Sequence, residues 1–223
     1  MRKTFLVAGV GLALTTFAIA YEVMTPEKLW QLQRVSPMGL NKAQTHVIYR
    51  VTAPSIENND AIDDVAKESY VDKDRIGALG ASFGGYSAFY LAGNHDGRFK
   101  TFISHCGVFD TRSMYGTTEE MFFVNHDFGG AYWEADNAAA SKAYAEFNPI
   151  TYVDQWDVPM FVIHGGKDYR VPLGQGVQAF QAAKLRGLKS RLLYFPEENH
   201  WVLTPQNGIV WQREFFKWLE ETL

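Results

Sequence analysis

The Gly-x-Ser-x-Gly motif at residues 80–84 constrains the fold of this chain more than any other feature of its sequence. It follows residues 75–81, a run of small and branched residues that is typical of a parallel strand buried on both faces. Residues 84–92 then show the apolar spacing of a helix, with Gly93 as its expected end. Strand, motif and helix in that order predict a nucleophile elbow that lifts the Ser82 hydroxyl above the carboxyl edge of a sheet.

Crowding explains why such an elbow needs small residues. The strained backbone at the serine leaves no room for side chains at the neighbouring positions, so the motif predicts that Gly80, Gly84 and Gly85 must be small. The turn also places Ser82 at the N-terminus of a helix, where the backbone N–H of Phe83 can face a developing oxyanion. Phe83 is therefore the predicted oxyanion donor.

Two further polar residues follow later predicted strands. The buried run at residues 159–164 breaks before Asp168, and the run at 190–195 is followed by a loop that carries His200. Because the carboxyl ends of parallel strands meet at one edge of a sheet, these side chains are expected near Ser82. The order Ser, Asp, His along the chain is the order of a catalytic triad on an α/β-hydrolase sheet.

A triad of this kind gives each residue its own task. The Ser82 hydroxyl is a poor nucleophile at neutral pH, so His200 would take its proton and later pass it to the leaving group. Asp168 would fix the imidazole tautomer and stabilise its charged form. Asp157 and Glu198 could in principle replace Asp168, but neither has so good a position at a strand end.

The rest of the chain alternates strands and helices, which predicts an α/β fold of the α/β-hydrolase type with a mostly parallel sheet. Besides the elements above, the pattern predicts a strand at 46–52, a helix from 60, a strand at 100–108, and helices at 137–147, 175–186 and 205–222. In the last helix, Ile209, Phe216 and Leu219 are expected to face the sheet. The aromatic stretch 109–133 has no clean period and could be either irregular packing or part of a pocket.

Composition excludes several classes of protein. A chain of 223 residues with 47% hydrophobic content can bury a substantial core. A net charge of −4 without a basic tract argues against a nucleic-acid partner. The single cysteine, Cys106, allows no internal disulfide, and the histidines have no metal-ligand spacing such as H-E-x-x-H. We therefore predict neither a metal site nor a cofactor.

The first twenty residues have the pattern of a secretory signal peptide. Arg2 and Lys3 precede an apolar run over residues 5–19, and Ala18-Ile19-Ala20 supplies small residues that a signal peptidase accepts. The alternative is a membrane anchor, although the run is shorter than the roughly 20 residues of a spanning helix. We expect a secreted or periplasmic protein with no stable membrane insertion after signal cleavage.

Five segments carry a resemblance to a known family: residues 80–86, 92–100, 159–172, 174–187 and 198–207. From about residue 60 onward the chain resembles the catalytic domain of the prolyl oligopeptidase family of serine peptidases, in its dipeptidyl and acylaminoacyl peptidase branches. The resemblance implies a short peptide substrate and the triad Ser82, Asp168 and His200.

The same resemblance implies a set of substrate-binding residues. Arg170 matches the family position that reaches a substrate backbone carbonyl. The remaining matches fall where the family lines the pocket for the residue before the scissile bond, and they are Tyr86, Val108, Phe109 and Tyr115.

The chain also departs from the family pattern. Residues 21–59 look like the opening of the family's β-propeller, and residues 60–223 look like a partial α/β-hydrolase domain that is truncated in its N-terminal half. The chain has no H-G-G-P loop, which in the family contributes to the oxyanion hole. Without its neighbouring strands the nucleophile strand should become an exposed edge, to which the 46–52 strand could add and through which homo-oligomers could form.

Three functions stay open on the sequence alone. Family inheritance favours a serine peptidase that cleaves short peptides through an acyl-enzyme. A serine esterase would use the same triad. A catalytically impaired fragment would act only as a binding module, since loss of one oxyanion donor typically removes about 2.7 to 4 kcal/mol of transition-state stabilisation.

Overall fold

A computed structural model of the chain describes residues 34–40, 47–52, 66–69 and 71–223. The predicted signal peptide and nearly all of the helix predicted from residue 60 lie outside these described residues. Contacts divide the chain into two units, Met1–Asp72 and Lys73–Leu223.

The first unit contains an antiparallel pair of strands, β1 (Arg34–Leu40) and β2 (Val47–Thr52). The register shifts between Pro37 and Gly39, which marks a bulge or irregularity in β1. Only β2 was predicted, because proline and glycine are disfavoured in strands and hide β1 in the sequence.

The second unit is built on a four-stranded, wholly parallel sheet. Its strands are β3 (Gly77–Ala81), β4 (Thr101–His105), β5 (Met160–Gly165) and β6 (Ser190–Phe195), and their spatial order is the order along the chain. Helices connect the strands, as parallel connections require. The predicted α/β class with a mostly parallel sheet is confirmed for this unit.

Six α-helices are described in this unit, together with the 3-10 helix Pro149–Gln155: α1 (Phe83–Ala92), α2 (Thr111–Tyr115), α3 (Met121–Phe128), α4 (Ala138–Glu146), α5 (Gly174–Leu185) and α6 (Pro205–Thr222). The side chain of Asn137 caps α4 by accepting from the N–H of Ala140. Within the described part of the chain, no helix has both the length and the apolar character needed to cross a bilayer.

Strand β3 lies at one edge of this sheet among the described residues. It is shorter than predicted, and it is not buried on both faces: Leu79 is 61% exposed. In the part of the chain that the structure describes, β3 pairs with β4 alone, so no second described strand covers its other side.

Helix α6 packs on the sheet through Trp218, which is fully buried and whose Nε1–H donates to Thr101 Oγ1 at 2.8 Å. The prediction for this helix was right for Leu219, which packs against the same core. It was wrong for Ile209 and Phe216, which are 51% and 60% exposed. The aromatic side chains Trp211, Phe215 and Trp218 occupy the sheet-facing side of the helix instead.

Candidate active site

Ser82 stands in a strained turn between β3 and α1. Its φ of 57° and ψ of −118° are unusual for a residue with a side chain. The Ser82 N–H donates to the carbonyl of His105 at the end of β4, at 2.9 Å, which ties the turn to the neighbouring strand. A Cβ on Gly80 would collide with the backbone of Gly84, so the turn closes only with glycine at position 80.

The two glycines after Phe83 differ in what surrounds them. A Cβ on Gly85 would lie 2.7 Å from the Cα of Gly107 and 2.9 Å from the carbonyl oxygen of His105. A Cβ on Gly84 would meet no described atom within 4 Å. The prediction of crowding was therefore wrong for Gly84, whose Cβ position faces open space among the described residues. The close approach is instead at Gly85, where α1 contacts the end of β4.

His200 and Asp168 form a buried, hydrogen-bonded pair at the carboxyl edge of the sheet. Nδ1 of His200 donates to Oδ2 of Asp168 at 2.7 Å, and the Asp168 side chain is fully buried. The other carboxylate oxygen accepts from the backbone N–H groups of Arg170 and Val171, at 3.0 and 2.9 Å. Burial alone would raise the pKa of Asp168, but the hydrogen bonds from His200, Val171 and the Cys106 thiol outweigh it and lower that pKa.

Ser82 and His200 line one cavity of about 310 Å³, a size at the lower end of ligand-binding pockets. Phe83, Tyr86 and Val108 add apolar surface to its wall. Arg170 also lines it, so three of the five predicted substrate-binding residues lie at this cavity: Tyr86, Val108 and Arg170. The cavity is mainly apolar, with a serine and an imidazole at its edge.

Tyr86 is a fixed part of this wall. Its hydroxyl donates to the carbonyl of Phe147 at 2.5 Å. Burial, together with the nearby Tyr90 and Tyr152, raises the pKa of Tyr86 to about 12. The phenol therefore stays protonated at neutral pH and holds the ring against the cavity.

The structure places the other two predicted pocket residues, Phe109 and Tyr115, in the core. Phe109 is 1% exposed and packs edge-on against Phe89 and Trp156. Tyr115 belongs to a separate cluster around Tyr144. Both rings pack against other aromatic side chains, Phe109 on Trp156 and Tyr115 in the cluster with Tyr144, so neither contributes to the described wall of the cavity.

Arg170 is held by two acidic residues from the loop before α3. Its Nη2 lies 2.7 Å from Glu120 and 3.6 Å from Glu119. Two hydrogen bonds join the two loops: the Glu119 N–H donates to the carbonyl of Tyr169, and the Thr118 hydroxyl donates to the carbonyl of Arg170. The guanidinium is thereby oriented along the cavity rather than free to leave it.

The described residues include one buried group that could hold a metal: Cys106, His164 and Asp168 offer ligand atoms within 4.8 Å of one another. Nε2 of His164 donates to the carbonyl of Val171 at 2.7 Å, so the nitrogen facing this group carries a proton rather than a free lone pair. Burial raises the pKa of the Cys106 thiol, which keeps it protonated. The donor set as it stands does not suit a metal ion, which needs deprotonated ligands.

Comparison with known proteins shows to which family the chain belongs. A model of the prolyl oligopeptidase family matches residues 58–223. The chain belongs to this family. Within the family, it is 52% identical over 163 residues to dipeptidyl-peptidase 5 of Porphyromonas gingivalis and 48% identical over 163 residues to dipeptidyl-peptidase 5 of Porphyromonas endodontalis.

These family relatives are much longer than the matched region. The alignment covers 73% of this chain but 24% of the Porphyromonas gingivalis relative and 23% of the Porphyromonas endodontalis one. The chain therefore spans about a quarter of the length of the relatives that it matches.

Two solved peptidase structures share the fold. The acylaminoacyl peptidase of Pyrococcus horikoshii superposes with a TM-score of 0.65 at 25% identity, covering 73% of this chain and 26% of that one. Dipeptidyl peptidase 4 of Porphyromonas gingivalis superposes with a TM-score of 0.59 at 21% identity, covering 71% of this chain and 21% of that one.

Several residues of the cavity were not anticipated from the sequence. Phe123, Asp127 and Phe128 of α3 line it, as do Glu120 and Trp201. The available signal was positional, because residues 109–133 follow the carboxyl end of β4, where ligands bind in open sheets. That signal left irregular packing and a pocket both open, and it did not identify which aromatic residues of the stretch would face a cavity.

Proposed function

We propose that this chain carries the catalytic site of a serine peptidase that cleaves short peptides, with Ser82 as nucleophile, His200 as general base and Asp168 as its acidic partner. The observation that carries the proposal is the 2.7 Å bond between His200 and the buried Asp168, at the rim of the cavity that Ser82 also lines. The strained turn at Ser82 supports it, since such strain is typical of functional sites.

The proposed chemistry runs in two halves. His200 takes the hydroxyl proton as Ser82 Oγ attacks the scissile carbonyl, and the N–H of Phe83 stabilises the developing oxyanion. His200 then protonates the leaving amine, so that an acyl-enzyme remains on Ser82. A water molecule then attacks the acyl-enzyme while His200 takes its proton, and the carboxylic acid product is released as Ser82 regains its hydroxyl proton. Asp168 stays ionised throughout, because its hydrogen bonds hold its pKa low.

The proposed substrate is a short peptide from which a dipeptide is released, with an acylaminoacyl peptide as the related alternative. The apolar wall formed with Tyr86, Val108 and Phe123 suits one apolar or aromatic side chain next to the scissile bond. Arg170 stands at the same cavity with donors for a substrate carbonyl. The dipeptidyl form is preferred because the Porphyromonas relatives are named dipeptidyl-peptidases.

An esterase is the second candidate. The sequence has no H-G-G-P loop, so the Phe83 N–H is the one oxyanion donor that the chain is proposed to supply. A site with a single donor retains more activity toward activated esters than toward amides, because an ester has the better leaving group.

Hydrolysis assays on the purified chain test the proposal. The substrates are a dipeptide 4-nitroanilide with a free amino terminus, an N-acetyl amino-acid 4-nitroanilide and a 4-nitrophenyl ester. We expect the free dipeptide to be cleaved, and Ser82→Ala and His200→Ala each to reduce kcat at least 1000-fold, on the order of triad losses elsewhere. Ser141→Ala, an exposed serine of α4, is the matched control and should leave kcat unchanged.

The outcomes separate the candidates. Cleavage of the ester alone, lost in Ser82→Ala, would replace the peptidase by the esterase. A folded chain that hydrolyses none of the three substrates would contradict both and favour a binding module. Hydrolysis that survives Ser82→Ala would show that the activity arises elsewhere.

Export and self-association are further parts of the proposal. The signal pattern of residues 1–20 supports a secreted or periplasmic location, which N-terminal sequencing of the exported protein would test. The position of β3 at the edge of the described strands supports a homo-oligomer formed by strand pairing. Light scattering of wild type and Leu79→Lys tests it: an oligomer that survives the substitution contradicts pairing at this edge.

A further inference from the structure

His164 lies at the end of β5, four residues before Asp168, and its side chain is fully buried. Its Nε2–H donates to the carbonyl of Val171 at 2.7 Å. Val171 is the residue whose own N–H donates to Asp168 at 2.9 Å. The backbone of a single residue, Val171, therefore makes both the bond to His164 and a bond that orients the buried carboxylate.

The turn from Asp168 to Val171 is held at both ends. At the start, Oδ1 of Asp168 accepts from the N–H groups of Arg170 and Val171, which curls the backbone around the carboxylate. At the end, His164 fixes the Val171 carbonyl and so prevents the turn from uncurling. The same turn carries Arg170, whose side chain lines the cavity.

The remaining contacts of the imidazole favour this role over simple space filling. Nε2 lies 3.7 Å from Oδ2 of Asp168, too far for a hydrogen bond, so the Val171 carbonyl is the group to which it donates. Nδ1 of His164 is buried without a hydrogen-bond partner among the described residues. An orphaned buried nitrogen is unfavourable, and an apolar side chain would avoid it.

We propose that His164 is a positioning residue of this site. Its Nε2–H holds the Val171 carbonyl and so fixes the turn that orients the Asp168 carboxylate toward His200 and the Arg170 side chain along the cavity. The inference rests on the proposed peptidase function. Burial lowers the pKa of His164, so the ring stays neutral and acts as a fixed donor.

Gly176 of α5 provides the space that the ring needs. A Cβ at this position would lie 2.5 Å from Nδ1 and 3.0 Å from Cγ of His164. The ring of a Gly176→Ala variant would have to shift away from α5, so its bond to Val171 would be disturbed without any change to His164 itself.

A set of substitutions separates donation from packing. Gln places an amide nitrogen near the position of Nε2, whereas Asn places one near Nδ1, and Leu fills space without a donor. We expect His164→Gln to retain kcat within about threefold, and His164→Asn and His164→Leu to lose about 100-fold, the scale of a small misplacement in an active site. The substrate is the dipeptide 4-nitroanilide.

His95 provides the matched control. It is also a buried histidine, and its Nε2 lies 3.0 Å from an oxygen of Asp157, at a pocket that does not include Ser82. The same three substitutions at His95 should lower thermal stability but leave kcat unchanged. Equal losses of kcat in His164→Gln, His164→Asn and His164→Leu, with folding intact, would overturn the inference.

The glycine variant decides the matter if the histidine variants do not fold. Gly176→Ala should lower kcat about tenfold or more, whereas Gly93→Ala, where a Cβ would lie 2.5 Å from Cβ of Tyr152, should lower stability alone. A Gly176→Ala variant that keeps the wild-type kcat would overturn the inference. Failure of the proposed function is distinguishable from either result, because in that case the wild-type chain would hydrolyse none of the substrates or its hydrolysis would survive Ser82→Ala.

Discussion

Gly84 and Gly85 are neighbours in the first turn of α1, yet the same substitution to alanine should affect them in opposite ways. A methyl group at position 84 enters space that holds no described atom within 4 Å. A methyl group at position 85 meets the backbone of Gly107 at 2.7 and 2.9 Å and the carbonyl of His105 at 2.9 Å. Backbone atoms cannot move aside by changing rotamer, so α1 or the end of β4 has to shift.

The free energies follow from these contacts. Alanine is favoured over glycine within a helix by about 0.8 to 1.0 kcal/mol, so Gly84→Ala should be neutral or stabilise the fold by up to about 1 kcal/mol. Gly85→Ala has the same helix gain, but overpacking costs about 1 to 3 kcal/mol. We expect a net loss of about 1 kcal/mol at position 85. For a chain of this size that corresponds to a fall of about 2 to 4 °C in Tm.

Thermal and urea denaturation followed by circular dichroism would measure both variants against wild type. The rate of labelling by a fluorophosphonate gives a second readout: it should fall in Gly85→Ala, because the carbonyl of His105 that would be pushed away holds the N–H of Ser82. A Gly84→Ala variant as unstable as Gly85→Ala would refute the reasoning, and so would a Gly85→Ala variant with wild-type Tm.

Three other substitutions probe separate parts of the unit. Hydrogen bonds from Thr204 and its neighbours lower the pKa of Glu198 from 4.5 to about 2. The contribution of the ionised carboxylate to the free energy of unfolding is therefore present above pH 4.5 and is lost as the pH falls toward 2. Denaturation curves of wild type and Glu198→Gln should converge over that range. Trp218→Phe removes the donor to Thr101 and should cost about 1 to 3 kcal/mol in urea denaturation. Arg170→Ala should raise KM for the dipeptide substrate about 10-fold to 100-fold with little change in kcat, as expected for loss of a charged hydrogen bond. Stabilities of wild type and Glu198→Gln that differ by the same amount at every pH would contradict the first expectation. An unchanged urea midpoint for Trp218→Phe would contradict the second, and an unchanged KM for Arg170→Ala would contradict the third.

The local features of the elbow were predictable from sequence, since a strand, a tight turn and a helix are encoded by neighbouring residues. Helix α1 was expected at 84–92 and spans Phe83–Ala92, and β6 was expected and found at 190–195. The positions of Asp168 and His200 followed from the rule that parallel strands share a carboxyl edge.

Features that depend on which side of an element faces its partner were not predictable in this way. Phe109 and Tyr115 are apolar rings in an aperiodic stretch, and only the packing of Phe109 on Trp156 decides that it turns inward. Ile209 and Phe216 fit the helical spacing of a buried face, but the face that α6 buries against the sheet is the one that carries the larger Trp218. The bond from His164 to Val171 joins residues seven apart through a side chain and leaves no pattern in the sequence.

Mapping the site of covalent labelling tests the central claim most directly. The folded chain would be treated with a fluorophosphonate, digested and analysed by mass spectrometry. The account predicts one phosphonylated residue, Ser82, with labelling that is strongly reduced in His200→Ala and unaffected in Ser141→Ala. A folded protein in which Ser82 stays unmodified, or in which His200→Ala reacts as fast as wild type, would contradict it.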